Sequence, residues 1–311
     1  MQLSVIIPTY KRSRDLERLL NSLSTQDLAI YEVIIVVGPG DQESLGIAQS
    51  WKLKLQGLKI LEAQKPSLVH SLNLGLAQIS GEIVCLLDDD VFLPNDWSKK
   101  ISNAYQLNSD YGAYGGVDRL QIEGDEALSN PSLATHVGVF RWNGLIGNHH
   151  RGSLYSPANV DVLKGVNLSF RKSALDKLVV DLKLESQGAE VCTEIDICQR
   201  IKKNNYKVIY DNNNYLLHYA SPRTSSDNRT NIFAYTIPKR LFNQAYVYAK
   251  YRTVYDILFF FIHTTFIGSR YQPGFLWSLI LFKQHGLNVL KLPLVHAGSI
   301  LRGFSDGFKR R

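Results

Sequence analysis

Hydrophobic and polar positions change period along the chain, and those changes divide it into elements. Leu3-Ser4-Val5-Ile6-Ile7 is an apolar run stopped by Pro8, after which Leu16, Leu19, Leu20 and Leu23 recur at helical spacing. The pattern predicts a buried strand followed by a helix packed on the sheet. Val33-Ile34-Ile35-Val36-Val37 is a second continuous strand, ended by Gly38-Pro39-Gly40, and Leu58-Lys59-Ile60-Leu61 is a shorter third. Val69, Leu72, Leu76 and Ile79 return to the helical period, and Ile83-Val84-Cys85-Leu86-Leu87 makes another strand. Strands alternating with helices over the first ~100 residues predict an α/β fold with a mostly parallel, doubly wound sheet.

Between residues 110 and 160 neither period is sustained, and Gly, Asn, Ser and His become frequent. Long loops and short antiparallel pieces are expected there, a kind of segment that often carries function. Regularity returns as a strand over 166–170, a helix over 194–203 with Ile195, Cys198 and Ile201 on one stripe, and a strand over 207–210. Thr193 stands where a helix cap would. After Arg223 the composition turns to Thr, Ser, Asp and Asn, which places a boundary near residue 225 between a first domain, 1–225, and a C-terminal region, 226–311. In that region 257–262 and 275–282 are apolar but shorter than the ~20 residues a spanning helix needs.

Composition adds three constraints. With 311 residues, 45% of them hydrophobic, the chain can bury one large core plus an appendage. Cys85, Cys192 and Cys198 have no C-x-x-C spacing, so neither a disulfide framework nor a zinc knuckle is expected, and a reducing compartment fits. Met1-Gln2-Leu3 leads straight into a strand, so no signal peptide is expected and the chain should work on the cytoplasmic side.

The net charge of +7 is uneven: residues 232–311 hold 11 Lys/Arg against only Asp256 and Asp306. A basic surface fits nucleic acid or an anionic membrane surface, and the Phe, Leu, Ile and Tyr crowded into the same segment favour the membrane over nucleic acid. Leu287, Leu290, Leu294, Ile300 and Leu301, interleaved with Lys283, Lys291, Arg302, Lys309, Arg310 and Arg311, predict helices lying peripherally on the inner face of the cell membrane. The alternative is a helical subdomain packed on the core, or a homo-oligomer formed through these helices.

The densest candidate chemistry is Asp88-Asp89-Asp90, placed where an apolar strand leaves the core. Hard divalent cations take carboxylate oxygens and keep open positions for phosphates, and ligands of open α/β sheets sit beyond the carboxyl ends of the strands. An acidic turn ahead of the helix starting near Asn95-Asp96 would explain the same residues. Pro8-Thr9-Tyr10 leaves the first strand at that edge and can offer backbone groups and an aromatic face, or be an ordinary proline turn.

Taken in order, Val5-Ile6-Ile7-Pro8-Thr9-Tyr10-Lys11-Arg12, residues 32–37, Gly81-Glu82-Ile83-Val84-Cys85-Leu86-Leu87-Asp88-Asp89-Asp90, Pro94, Gly165-Val166-Asn167-Leu168-Ser169-Phe170-Arg171, Glu194-Ile195-Asp196-Ile197-Cys198-Gln199-Arg200-Ile201 and His218-Tyr219-Ala220-Ser221-Pro222-Arg223 closely resemble family 2 glycosyltransferases of the GT-A fold. The resemblance covers roughly residues 3–223. It implies an inverting transferase that uses Mg²⁺ or Mn²⁺ and moves a sugar from a UDP-, GDP- or dTDP-linked donor to a saccharide or lipid-linked acceptor in surface polysaccharide assembly.

Residue by residue, the resemblance makes Asp90 and Asp88 metal ligands with His218 as a further one, and puts Asp89 near the ribose or the metal-bound water. Pro8, Thr9, Tyr10 and Arg12 fall on the donor side, and Ser67, His70 and Asn73 where the diphosphate is contacted, without the arginine common in that stretch. Asp41 stands three residues past the place of a base-reading aspartate. Glu194 aligns with the general base and Asp196 with the acid two positions later; on their own both would pass as first-turn acids of a helix. Two rivals remain at this stage, a sugar nucleotidyltransferase and a non-catalytic carbohydrate- or lipid-binding module of the same fold. The first would need a glycine-containing phosphate loop that Lys11-Arg12 does not supply.

Overall fold

The computed structural model describes residues 1–121, 132–184, 191–219 and 231–311, so the boundary near 225 and residues 220–223 of the histidine segment lie outside the described residues. Two compact units are present. Of the described residues, 1–121, 132–139, 146–182 and 193–219 form the first, and 140–145, 183–184, 191–192 and 231–311 the second.

The first unit is built on strands β1 (Leu3–Thr9), β2 (Glu32–Val37), β3 (Leu58–Glu62) and β4 (Ile83–Leu86), which pair in parallel in the order β3-β2-β1-β4. Their runs are apolar without alternation because both faces are covered. On one face Val5, Ile7, Val33, Ile35 and Cys85 meet Leu16, Leu19 and Leu20 of helix α1 (Ser13–Ser24). Helices α2 (Gln42–Ser50) and α3 (Leu68–Leu76) complete the crossovers, and α3 lies close enough to β1 that a Cβ on Gly75 would stand 2.6 Å from the Ile6 side chain.

Beyond β4 come β5 (Val91–Phe92), α4 (Trp97–Leu107), β6 (Tyr111–Leu120), a hairpin of β7 (Val139–Arg141) and β8 (Gly144–Ile146), β9 (Ala158–Asn159), β10 (Leu168–Arg171), α5 (Thr193–Lys203) and β11 (Lys207–His218). Here the sheet becomes mixed. β10 is antiparallel to both β4 and β6, β11 runs parallel to β6, and β5 and β9 lie antiparallel on β11.

β6 departs from the sequence expectation, which gave its region only long loops and short antiparallel pieces. It is a ten-residue strand in the interior of the sheet, and its glycines are the reason it escaped notice. A Cβ on Gly115 would lie 2.2 Å from the Asn167 carbonyl oxygen, and one on Gly116 1.8 Å from that of Asn214. Neighbouring backbone fills the space side chains would need, so the strand cannot carry the alternating apolar pattern by which strands are recognised.

At the opposite end of the sheet from the aspartates, buried Glu32 accepts hydrogen bonds from Ser4 Oγ (2.5 Å), Lys59 Nζ (2.7 Å) and the amides of Ser80 (2.5 Å) and Gly81 (3.2 Å). Burial works against the ionised form, but these four donors outweigh it and bring the carboxyl from 4.5 down to about 2. A folded-state value below the unfolded one stabilises the fold above pH ~4.5, and that stability is lost as pH falls toward 2; the shift corresponds to about 3 kcal/mol. Glu32→Gln should therefore be less stable than the parent at pH 7 by an amount of that order. In urea unfolding from pH 7 down to pH 3 the gap between the two proteins should narrow below pH ~4.5; a gap independent of pH would remove the ionised carboxylate as its cause.

The second unit contains helices α6 (Thr236–Tyr251), α7 (Val254–Ile262), α8 (Phe275–His285) and α9 (Leu292–Phe308). α6 and α9 touch backbone to backbone: a Cβ on Gly303 would be 2.5 Å from the Phe242 carbonyl oxygen and one on Gly307 2.4 Å from that of Tyr246. Tyr248 stacks on Phe260 with ring centroids 4.2 Å apart. Ile300 and Phe260 are buried, so these two residues of the apolar runs belong to the packing of the unit and not to its surface. Among the described residues no helix is long and apolar enough to cross a membrane.

Candidate active site

Strand register brings the candidate residues together. Ile6 of β1 pairs with Leu86 of β4, and three residues further along each strand Thr9 Oγ1 donates to Asp89 Oδ2 at 2.8 Å. Val91, the residue after Asp90, pairs with His218 across β5 and β11, and the Tyr219 amide donates to the Asp90 carbonyl at 2.8 Å. His218 Nε2 consequently lies 3.2 Å from Asp90 Oδ1. On the other side of β11, Leu216 pairs with Asp118 of β6, so Asp118 and His218 share a face, with His218 Nδ1 3.7 Å from Asp118 Oδ2.

Among the described residues, Asp88, Asp90 and His218 form one cluster that could hold a metal ion, their ligand atoms lying within 4.8 Å of one another. Two carboxylates and one imidazole at that spacing fit a hard or borderline divalent cation. Neighbouring cations already answer the negative charge: Arg12 NH1 lies 3.0 Å from Asp89 Oδ1 and 3.2 Å from Asp90 Oδ2.

The protonation equilibria reflect this crowding. Loss of surrounding water and the charge of Asp90 push the Asp88 carboxyl up to about 6, although Asp88 is exposed and the water reaching it softens the effect. Burial pushes Asp89 up to about 7 against the pull of Arg12. Burial would lower His218, but the carboxylates of Asp118 and Asp90 beside its ring prevail and raise it to about 9. The Arg12 guanidinium is raised by Asp89 and Asp90 against its own burial.

The remaining sequence candidates fall at the same sheet edge or on nearby elements, with differing commitments. Tyr10 follows β1 after Pro8 and Thr9, and its ring occupies the space a side chain at Gly38 would need, 2.2 Å from the Cβ position. That contact accounts for the glycine after β2. Asp41 spends both carboxylate oxygens on backbone, accepting from the Lys11 amide at 2.5 Å and from Ser44 at the start of α2 at 3.2 Å. Ser67 caps α3 by accepting from the His70 amide at 3.0 Å. Asn73 clamps Val180, its amide group donating to the carbonyl at 3.0 Å and accepting from the N–H at 2.8 Å. His70 Nε2 is buried and makes no hydrogen bond among the described residues.

Glu194 and Asp196 share α5 but not an environment. Glu194 is partly exposed, accepts from the Thr193 hydroxyl at 3.1 Å, and occupies space left by Gly165, where a Cβ would be 3.2 Å from its Oε1. Thr193 is the first residue of the helix and turns its hydroxyl to this carboxylate. Glu194 is close enough to Asp88 for its charge to raise that carboxyl. Asp196 is fully buried, 3.7 Å from Arg200 NH1.

Sequence reasoning missed Asp118 and Lys164. Asp118 is fully buried, bonded by the Lys164 ammonium, and held below the usual carboxylate range by the nearby His218 ring and by Lys164, which together outweigh its burial. It belongs to the glycine-rich strand that carried no periodic signal. A depression of about 350 Å³ lined by Leu133, Thr135, His136, Ile146, Asn148 and Arg151 contains none of the groups above.

Comparison with known proteins bears on the family and the fold. The relatives include poly(ribitol-phosphate) β-N-acetylglucosaminyltransferase TarS of Staphylococcus aureus, 33% identical over 103 residues, which are 32% of this chain and only 18% of TarS. Glucosyl-dolichyl phosphate glucuronosyltransferase of Haloferax volcanii is 24% identical over 225 residues, 68% of this chain and 67% of the relative. Among solved structures, S. aureus TarS residues 1–349 superposes with a TM-score of 0.58 at 14% identity, covering 97% of this chain and 81% of that one. The mannosyltransferase PcManGT of Pyrobaculum calidifontis, solved with GDP-Man and Mn²⁺, gives 0.52 at 16% identity, covering 95% and 73%. At these identities the likeness is one of fold, and it is the GT-A arrangement expected from the sequence. The model of the family described as "Glycosyl transferase family 2" matches residues 4–179, from β1 past β10, and with more than half of its length so matched the chain belongs to glycosyl transferase family 2.

Proposed function

We propose that this chain is an inverting, metal-dependent glycosyltransferase that moves a sugar from a nucleotide diphosphate donor to a saccharide or lipid-linked acceptor in the assembly of a surface polysaccharide. The observation that carries this reading is the gathering of Asp88, Asp90 and His218 at one sheet edge, with Glu194 near enough to be felt by Asp88.

Asp88, Asp90 and His218 are the residues that would hold Mg²⁺ or Mn²⁺, which when bound supplies Lewis-acid stabilisation of the negative charge on the departing diphosphate. Arg12 keeps the three aspartates together through Asp89 and Asp90, and Thr9 fixes the second oxygen of Asp89. Tyr10 presents its ring on the donor side, and the buried Nε2 of His70 is a group that a donor phosphate would satisfy. Glu194 takes the proton from the acceptor hydroxyl as its oxygen attacks the anomeric carbon. The bond to the diphosphate breaks with its electron pair, and a single attack from the opposite face inverts the centre. Glu194 is favoured over Asp196 as base because it is the one that solvent, and hence an acceptor, can reach.

Asp118 positions His218: a carboxylate on one ring nitrogen orients the other toward a metal and raises its basicity. Base, sugar and linkage would be set by the region 110–160, where the depression around His136 and Arg151 lies.

Incubation with Mn²⁺ and a panel of UDP-, GDP- and dTDP-sugars, following release of nucleoside diphosphate, tests the reading. One donor class should be hydrolysed slowly without acceptor, and chelation should stop it. Release of pyrophosphate from a nucleoside triphosphate and a sugar phosphate, with no turnover of any nucleotide sugar, would make the chain a nucleotidyltransferase instead.

A further inference from the structure

Helices α7 and α8 turn apolar faces outward. On α7, Val254, Tyr255, Leu258, Phe259 and Ile262 are exposed while Ile257 and Phe260 are buried. On α8, Phe275, Leu276, Leu279 and Ile280 are exposed while Ser278 and Leu281 are buried. The two helices repeat one pattern, with exposed positions at i, i+1, i+4 and i+5 and buried ones at i+3 and i+6. At 3.6 residues per turn the first set spans about 140° of the helix, and the second set points away from it. The ninth position of the stripe is Ile262 on α7 and the exposed Lys283 on α8. Between the helices, Phe266 and Ile267 of the wide turn His263–Ile267 are exposed as well, and the rings of Phe266 and Phe275 lie 5.9 Å apart, which joins the turn to α8. A contiguous set of large apolar side chains of this extent marks an interaction surface.

Charge selects the partner. Exposed Lys283 lies on α8 itself and exposed Arg270 in the loop that leads into it, exposed Lys291 and Arg302 follow in the segment after α8 and on α9, and the acids of residues 232–311 are both engaged locally. Asp256 is bonded by Arg252 (3.2 Å) and Thr253 (2.8 Å), and Asp306 by Lys183 (3.0 Å) and Lys309 (3.3 Å). A second copy on this face would bring basic rims together with no unengaged acid among residues 232–311 to meet them. An anionic leaflet offers both an apolar depth for the stripes and phosphates for the cations.

We propose that α7, the turn His263–Ile267 and α8 form a membrane-docking surface that lies in the headgroup boundary of an anionic lipid leaflet, with the apolar stripes inserted and the lysine and arginine side chains on the phosphates. The docking is independent of the transfer reaction. Binding to lipid and turnover of a soluble donor are separate measurements, and either can fail alone.

Sedimentation of the full chain with phosphatidylcholine vesicles, with and without phosphatidylglycerol, is the test. The chain should pellet with the anionic vesicles at low salt, and high salt should weaken the attachment only in part. Leu258 and Leu279 are 52% and 65% exposed, so Leu258→Glu with Leu279→Glu should leave the far-ultraviolet circular dichroism unchanged while reducing vesicle affinity at least about tenfold. Lys283→Glu should reduce affinity at low salt and differ little from the parent at high salt. A chain that stays in the supernatant with anionic vesicles at low salt overturns the proposal, as does a double variant that binds like the parent. A lipid-free dimer that Leu279→Glu dissociates would assign the face to a second copy and overturn it too.

Discussion

Glu194→Gln should bind its nucleotide sugar as the parent does and turn it over roughly 10²–10⁴ times more slowly, the usual worth of a positioned general base. The amide keeps the shape of the side chain and can still accept from the Thr193 hydroxyl, so the space beside Gly165 remains filled and the start of α5 is undisturbed. What disappears is the capacity to take a proton. Single-turnover measurement with saturating donor and acceptor isolates that step from binding. Asp196→Asn is the companion. Asp196 is fully buried beside Arg200, and replacing one partner of a buried ion pair should lower the unfolding midpoint while leaving turnover by the folded fraction near the parent's. A Glu194→Gln protein of full activity beside a folded but inactive Asp196→Asn protein would exchange the two assignments, and loss of donor binding in Glu194→Gln would give that residue a structural part.

The second large effect concerns the cation. In Asp90→Ala the gain in nucleoside diphosphate affinity on adding Mn²⁺ should vanish while the fold survives, because removing one of three crowded carboxylates relieves repulsion and leaves Arg12 paired to Asp89. Calorimetric titration with and without Mn²⁺ separates metal-assisted from metal-free binding. Asp118→Asn should produce a smaller loss, about 10–100-fold in Mn²⁺ affinity, since it disturbs the orientation of His218 without removing a ligand. Undiminished Mn²⁺ dependence in Asp90→Ala would take Asp90 out of the site. An Asp118→Asn protein with the parent's Mn²⁺ affinity would reduce Asp118 to a buried partner of Lys164.

The parallel half of the fold was legible because its strands are unbroken apolar runs and its helices carry clean stripes, as Leu16, Leu19, Leu20 and Leu23 do. The mixed half was legible only in part: β10, α5 and the start of β11 were expected, whereas β6 was not. β6 had to give up side chains at Gly115 and Gly116 to let the carbonyls of Asn167 and Asn214 approach, and with them it gave up the periodic signal. The acids of the candidate site could be named from their place after β4, whereas Asp118 could not, since its partners are set by pairing across β6 and β11 that no local pattern encodes. The family resemblance put Asp41 near the base-reading position and Asn73 on the diphosphate. Both are polar residues at the right edge, and only the structure reveals that backbone groups of Lys11, Ser44 and Val180 occupy them. In the C-terminal unit, composition identified an apolar and basic region but could not sort Phe260 from Phe259, which differ only in the side of one helix they occupy.

β5 is two residues long, yet its pairing with β11 sets His218 beside Asp90 from 128 positions further along the chain. During synthesis at about 5–20 residues per second, the three aspartates would be joined to the chain some 6–26 s before their histidine is added. Throughout that interval the nascent chain carries a bare acidic knot with Arg12 as its cationic partner from the already translated part, and any cation it attracts is held by carboxylates alone. A complete cluster is thus the mark of a finished sheet. A chain arrested before β11 would hold the acidic triplet but not the imidazole that distinguishes this cluster from a simple run of carboxylates.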